Sequence, residues 1–70
     1  MRKKDIRIIV GEKIRSLREE LGWSQEELGF ESGLHRNYIG GVERGERNIA
    51  IVNLDKLAKA MGVSPRDLLP

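Results

Sequence analysis

Apolar residues recur along this chain at the three- and four-residue spacings of amphipathic helices, so the pattern predicts helices and no strands. Ile6, Val10, Ile14, Leu17 and Leu21 form one stripe, and Gly22 follows them as a C-terminal stop. Ser24 with Glu27 three residues on spells a capping box, and Trp23 is placed to staple against Leu28. A second helix is therefore expected from Gln25 to Ser32. A third begins at Leu34 or His35 and ends near Arg44, where Gly45 breaks it. After a loop, a fourth helix from Ile51 to Met61 turns Leu54, Leu57, Ala58 and Met61 inward and closes at Gly62. Ser64, Pro65 and Asp67 open a short fifth helix carrying Leu68 and Leu69. The expected fold is all-α, a compact five-helix bundle with short connections and no internal repeat. Residues 1–5 form a flexible tail without an anchor, and residues 6–70 form the folded domain. Gly11 goes against its helix at a cost of up to about 1 kcal/mol relative to alanine. Either another backbone passes close there or the first turn is loose.

At 70 residues the chain holds one core near the lower limit for independent stability, so self-association would help it. With 39% hydrophobic and 34% charged residues it is too apolar for a disordered tail, and no apolar run is long enough to span a bilayer. Cysteine is absent and there is one histidine, so neither a disulfide framework nor a zinc site is expected, and a reducing cytoplasm is compatible. The net charge of +2 is small, and its distribution says more. Glu12, Glu19, Glu20, Glu26, Glu27 and Glu31 crowd the first half, whereas Arg36, Arg44 and Arg47 gather around the third helix. A basic face on a nearly balanced molecule suits nucleic acid.

The second and third helices carry the sharpest constellation. Leu28 faces inward, Gly29 is small where two helices approach, Gly33 permits the positive φ of a tight turn, and Ile39 and Val42 anchor the second of the pair. Their joint spacing reads as a DNA-binding helix-turn-helix. On a helix advancing about 100° per residue, Gly40, Asn37 and Gly41 fall at roughly 40°, 100° and 140° from Arg36, opposite Ile39 and Val42. Arg36, Asn37, Gly40 and Gly41 are therefore the expected base-reading face. Arg36 can donate a bidentate pair to guanine, and Asn37 can match adenine. The glycine pair would let the helix backbone approach the groove, unless the helix simply ends early there. Gln25 at a helix N-terminus, His35, Tyr38, Arg44, Arg47 and Asn48 are candidates for the DNA backbone. Arg47 has a minor groove as a second destination, and His35 has the alternative role of helix cap. The basic run Arg2-Lys3-Lys4 is either an arm toward DNA or a solvated terminus.

From about Val10 to Leu69 these residues resemble the Cro/phage-repressor (XRE-type) helix-turn-helix family. The stretch from His35 to Asn48 is most similar to the controller proteins of restriction-modification systems. The resemblance implies a homodimer that binds a palindromic, inverted-repeat operator on double-stranded DNA and regulates its own gene together with the endonuclease gene. RNA polymerase is a further candidate partner of such a regulator. The resemblance also places Glu43 opposite Arg18 as an internal ion pair. Ala50 departs from the family's usual polar N-cap, which weakens the start of the fourth helix by about 0.5 to 2 kcal/mol unless Asn48 caps it. Ile49, Ile51, Val52, Val63 and Leu69 exceed what the inner faces need and are the expected dimer interface.

Catalysis is not expected, since the paired acids Glu19-Glu20 and Glu26-Glu27 lie on exposed faces and Ser24 and His35 lack a third partner. Neither a cofactor nor a metal is called for. A phage-type repressor, an antitoxin of the same fold and a protein-interaction helix-turn-helix module are the alternatives. The arginines around the third helix weigh against the last of these.

Overall fold

The computed structural model describes residues 4–70. Among them are four α-helices and no strands: α1 (Ile6–Glu20), α2 (Gln25–Ser32), α3 (Arg36–Glu43) and α4 (Ile51–Met61). The expected fifth helix is a single 3-10 turn, Pro65–Leu68, and the physical reason is its length. Its bonds close over three residues, Asp67 N–H to Ser64 C=O at 2.9 Å and Leu69 N–H to Arg66 C=O at 3.1 Å, and Leu69 then goes extended. So short a segment gains little from four-residue bonds and takes the tighter 3-10 form common in short pieces.

The ends of the helices follow from local chemistry. Trp23 N–H reaches Arg18 C=O at 3.1 Å and Gly22 N–H reaches Glu19 C=O at 3.0 Å, a Schellman closure of α1. Ser24 Oγ accepts from Glu27 N–H while the Glu27 carboxylate accepts from Ser24 N–H, the expected capping box. Gly33 takes φ +75° in the turn between α2 and α3, a conformation that strains any other common residue. Ala50 caps α4 with no side-chain hydrogen bond, so neither it nor Asn48 satisfies that helix start.

The tail is better anchored than expected at its inner end. Asp5 caps α1 by accepting from Arg7 N–H at 2.8 Å, and Lys4 Nζ donates to Glu12 at 2.8 Å. The Arg7 guanidinium and N–H together lower the Asp5 carboxyl to about 2. Because the folded value is depressed, this cap is intact near neutral pH and is lost only as pH falls through that value. Met1, Arg2 and Lys3 lie outside the described residues, and with them most of the proposed basic arm.

The core joins all four helices. Val10 and Ile14 from α1, Leu28 from α2, Ile39 and Val42 from α3, and Leu54, Leu57, Ala58 and Met61 from α4 are buried, with Leu68 closing one end. Leu17 is only partly buried, and Ile6 and Leu21, the ends of the α1 stripe, are exposed. The puzzle of Gly11 resolves into a close backbone approach. A Cβ there would collide with the Val42 carbonyl oxygen and fall 2.7 Å from that of Glu43. Gly29 does the same for the turn, where a Cβ would sit 2.7 Å from the Leu34 carbonyl oxygen. Two glycines thus set how near α1 and α2 come to α3.

Gly11→Ala should destabilise the fold although alanine favours a helix by about 1 kcal/mol, because main-chain oxygens cannot step aside and overpacking costs about 1 to 3 kcal/mol. Urea unfolding should show a lower midpoint; an equal or higher one would mean that α1 does not seat on α3 at this point.

Candidate nucleic-acid interface

The site is built on one buried carboxylate. Glu43, at the end of α3, has a side chain only 3% exposed and accepts from Arg18 Nε at 2.6 Å and Nη2 at 2.9 Å. Gln25 Nε2, from the first turn of α2, adds a third bond at 3.0 Å. Arg18 Nη1 meanwhile donates to the Trp23 carbonyl at 2.7 Å, and the Glu43 hydrogen bond raises the Arg18 pKa above its ordinary value. The Arg18–Glu43 pair matches what the family resemblance implies. Its extension to Gln25 is new, and it fixes the start of α2 against the end of α3. Gln25 therefore offers its backbone N–H and the helix dipole outward, while its side-chain amide nitrogen is committed inward.

The remaining positions surround the outer face of α3. His35 is the N-cap: its Nδ1 accepts from Asn37 N–H at 3.0 Å, leaving the ring proton on Nε2 as an outward donor. Arg36 and Asn37 are exposed at the first turn, as the helical wheel requires. The Arg36 guanidinium is paired with Glu26 of α2, both side chains being more than half exposed. Tyr38 is partly buried, and its hydroxyl accepts from Asn53 Nδ2 at 3.2 Å, so its own proton is free to be donated. Arg44 is exposed and paired with Glu46 at 3.1 Å. Arg47 lies over the Tyr38 ring, 5.8 Å from its centroid.

Gly40 and Gly41 are not an open strip of backbone. Both are buried: the Arg44 and Gln25 side chains cover Gly40, and the Arg47 side chain covers Gly41. The helix also continues through them to Glu43, which removes the alternative of an early end. Sequence periodicity put these positions on the exposed reading face, but a helical wheel carries no information about long side chains folding back over them, and both are buried.

The expected dimer residues divide. Ile51 is 80% and Val52 62% exposed at the start of α4, and Leu69 is exposed, whereas Ile49 and Val63 are partly buried against the core. Ile49, Ile51 and Leu69 line one apolar cleft of about 220 Å³ together with Ile6, Val10 and Leu54, while Val63 faces a different groove beside Leu17. Ile6, the first residue of the α1 apolar stripe, joins this rim. Asn48 and Arg47 also border the cleft, which connects the DNA candidates to the apolar surface. No group of acids and histidines able to hold a metal occurs among the described residues, and no helix there is long and apolar enough to cross a membrane.

A short helix seated by a tight turn, with polar and cationic residues around its outward face, defines a helix-turn-helix DNA-binding domain. The HTH_3 helix-turn-helix family model matches residues 14–68, and the chain belongs to that XRE-type family. The chain is 48% identical over 66 residues to Control protein C.BamHI of Bacillus amyloliquefaciens, covering 93% of this chain and 82% of that one. To Control protein C.SmaI of Serratia marcescens it is 51% identical over 65 residues, covering 93% and 77%. The crystal structure of the restriction-modification controller protein C.AhdI from Aeromonas hydrophila superposes with a TM-score of 0.88 at 51% identity, over 90% of this chain and 96% of that one.

The Glu26 carboxylate competes with any anionic ligand for Arg36. Glu26→Gln should tighten DNA binding by up to about fivefold, the range set by an exposed ion pair. Fluorescence anisotropy with a labelled duplex reads this directly, and weaker binding by the variant would mean that Glu26 holds Arg36 in its working position.

Proposed function

We propose that the protein is a restriction-modification controller: a transcription regulator that binds an inverted-repeat operator as a homodimer and regulates its own gene and that of the endonuclease. The observation that carries this reading is the outward first turn of α3, where Arg36 and Asn37 stand exposed on a helix locked to α1 and α2. The similarity to C.BamHI, C.SmaI and C.AhdI supports the controller subtype over a phage-type repressor or an antitoxin.

In this reading α3 enters the major groove. Arg36 leaves Glu26 to donate to guanine O6 and N7, and Asn37 contacts the neighbouring base pair or a phosphate. The Gln25 N–H at the start of α2, the Tyr38 hydroxyl, His35 Nε2–H and the Arg44 guanidinium hold the sugar-phosphate backbone and set the register. Arg47 and Asn48, beyond the end of α3, reach the adjacent backbone or minor groove. A second copy docks on the cleft bordered by Ile6, Ile49, Ile51 and Leu69, with Val52 beside it. Reading an inverted repeat in successive major grooves then requires the two reader helices to lie about 34 to 36 Å apart, one turn of the duplex. A cytoplasmic location goes with the same reading, since the proposed ligand is the cell's own DNA.

Arg36 and Arg44 separate base readout from backbone attraction. On a duplex selected by the wild-type protein from a random pool, Arg36→Ala should cost about 1 to 3 kcal/mol and relax the preference at one base pair per half-site. Arg44→Ala should weaken selected and random duplexes alike and reduce the slope of log affinity against log salt by about one per lost phosphate contact. Wild-type affinity in both variants across a salt titration would leave α3 without a reading role and favour a protein-interaction module.

A further inference from the structure

Two adjacent glycines inside a helix of eight residues oppose helix formation, and the structure lays an arginine side chain over each. A Cβ built at Gly41 would fall 2.9 Å from Arg47 Cγ and 3.4 Å from its Nε. One built at Gly40 would fall 3.1 Å from Arg44 Nη1 and 3.3 Å from Gln25 Oε1. The arginines differ in what else holds them. Arg44 has Glu46 at 3.1 Å. Arg47 has no carboxylate within ion-pair distance among the described residues, and it rests between the α3 backbone and the Tyr38 ring.

We propose that Gly41 is a positioning residue for DNA recognition, acting through Arg47. Its missing side chain opens a seat on α3 in which the Arg47 stem lies against the helix, so that the guanidinium lies over the Tyr38 ring and keeps its donors for DNA. This rests on the reading of the protein as a DNA-binding regulator. Gly40 does the same for Arg44 with less consequence, and the distances say why. At Gly41 the added carbon meets Cγ, near the root of the side chain, where any shift swings the whole arm. At Gly40 it meets only the ends of two side chains, Arg44 Nη1 and the Gln25 amide, which need to yield by a few tenths of an ångström. Preordering the Arg47 stem lowers the side-chain entropy lost on binding, which is what a flexible cation otherwise gives up at an interface.

The test is a cycle of Gly41→Ala, Arg47→Ala and the double variant, with Gly40→Ala for comparison, on a duplex selected by the wild type from a random pool. Gly41→Ala should lose roughly tenfold in affinity and about one unit of salt slope, the scale of one lost cationic contact. In the Arg47→Ala background the same substitution should change nothing further, and Gly40→Ala should lose less than about threefold. The urea midpoint of Gly41→Ala should equal or exceed that of the wild type, because alanine favours the helix. In the free protein, NMR should show the Arg47 Nε–H resonance displaced by the Tyr38 ring current and returning toward its random-coil position in Gly41→Ala. An equal loss of affinity with and without Arg47 would mean that the glycine itself meets DNA, and would overturn the proposal. Wild-type affinity in Gly41→Ala, or an unmoved Arg47 resonance, would also overturn it. If the wild type selects no duplex, the DNA-binding reading falls and takes this proposal with it, whereas normal selection with an unaltered Gly41→Ala variant defeats the proposal alone.

Discussion

The carboxylate of Glu43 is the constraint on which the rest of the structure depends. A buried anion costs several kcal/mol of lost hydration unless it is matched by opposite charge and hydrogen bonds. Here Arg18 supplies two bonds and Gln25 a third, from helices before and after the tight closure at Gly22. Satisfying one carboxylate therefore fixes α1, the start of α2 and the end of α3 with respect to one another. Apolar contacts at Ile39 and Val42 are non-directional and favour burial of α3 without prescribing which polar groups meet. The ion pair does prescribe this. The outward turn of α3 is thus held by a charge interaction buried beneath it, and the surface cations are free of that task.

Close backbone approach sets the second constraint. Gly11 brings α1 onto the carbonyls at the end of α3, and Gly29 brings α2 onto the turn before it, so the helix that carries Arg36 and Asn37 is clasped at both ends. Gly40 and Gly41 use the same lack of a side chain for another purpose, seating long cations on the outer face. One residue type serves the fold on the inside of α3 and, in the reading proposed above, recognition on the outside, and the identity of the neighbouring atom distinguishes the two. Main-chain carbonyls crowd Gly11 and Gly29, whereas arginine side chains cover Gly40 and Gly41.

Much of this was legible in the sequence because it is local. The Ser24–Glu27 capping box, the closures at Gly22, Gly33, Gly45 and Gly62, the bounds of α2 and α4 and the inner face of α4 all follow from spacings within a few residues. The Arg18–Glu43 pair, 25 residues apart, came from family resemblance and not from periodicity. What stayed hidden depends on where side chains end. Periodicity put Ile6 on the inner stripe, but it is exposed and borders the apolar cleft beside Val42, Ile51 and Leu54. Val63 and Leu69 looked equivalent as surplus apolar residues, yet the 3-10 turn sends them to different grooves. Gly40 and Gly41 looked bare because a helical wheel gives directions and not the reach of Arg44 and Arg47, four and six residues further on, back over them. The partnership of Arg36 with Glu26 likewise needs the crossing of two helices to be known.

A double-mutant cycle across the buried pair tests the central claim most directly, with Arg18→Met, Glu43→Met and both together unfolded in urea. Each single variant leaves a charge buried without its partner and should lose about 3 to 5 kcal/mol, while the double variant removes both charges and should lose far less than the sum. Losses that add to within about 0.5 kcal/mol would show the two residues to be independent. The orientation of α3 would then have to come from the apolar core and the close backbone approaches at Gly11 and Gly29.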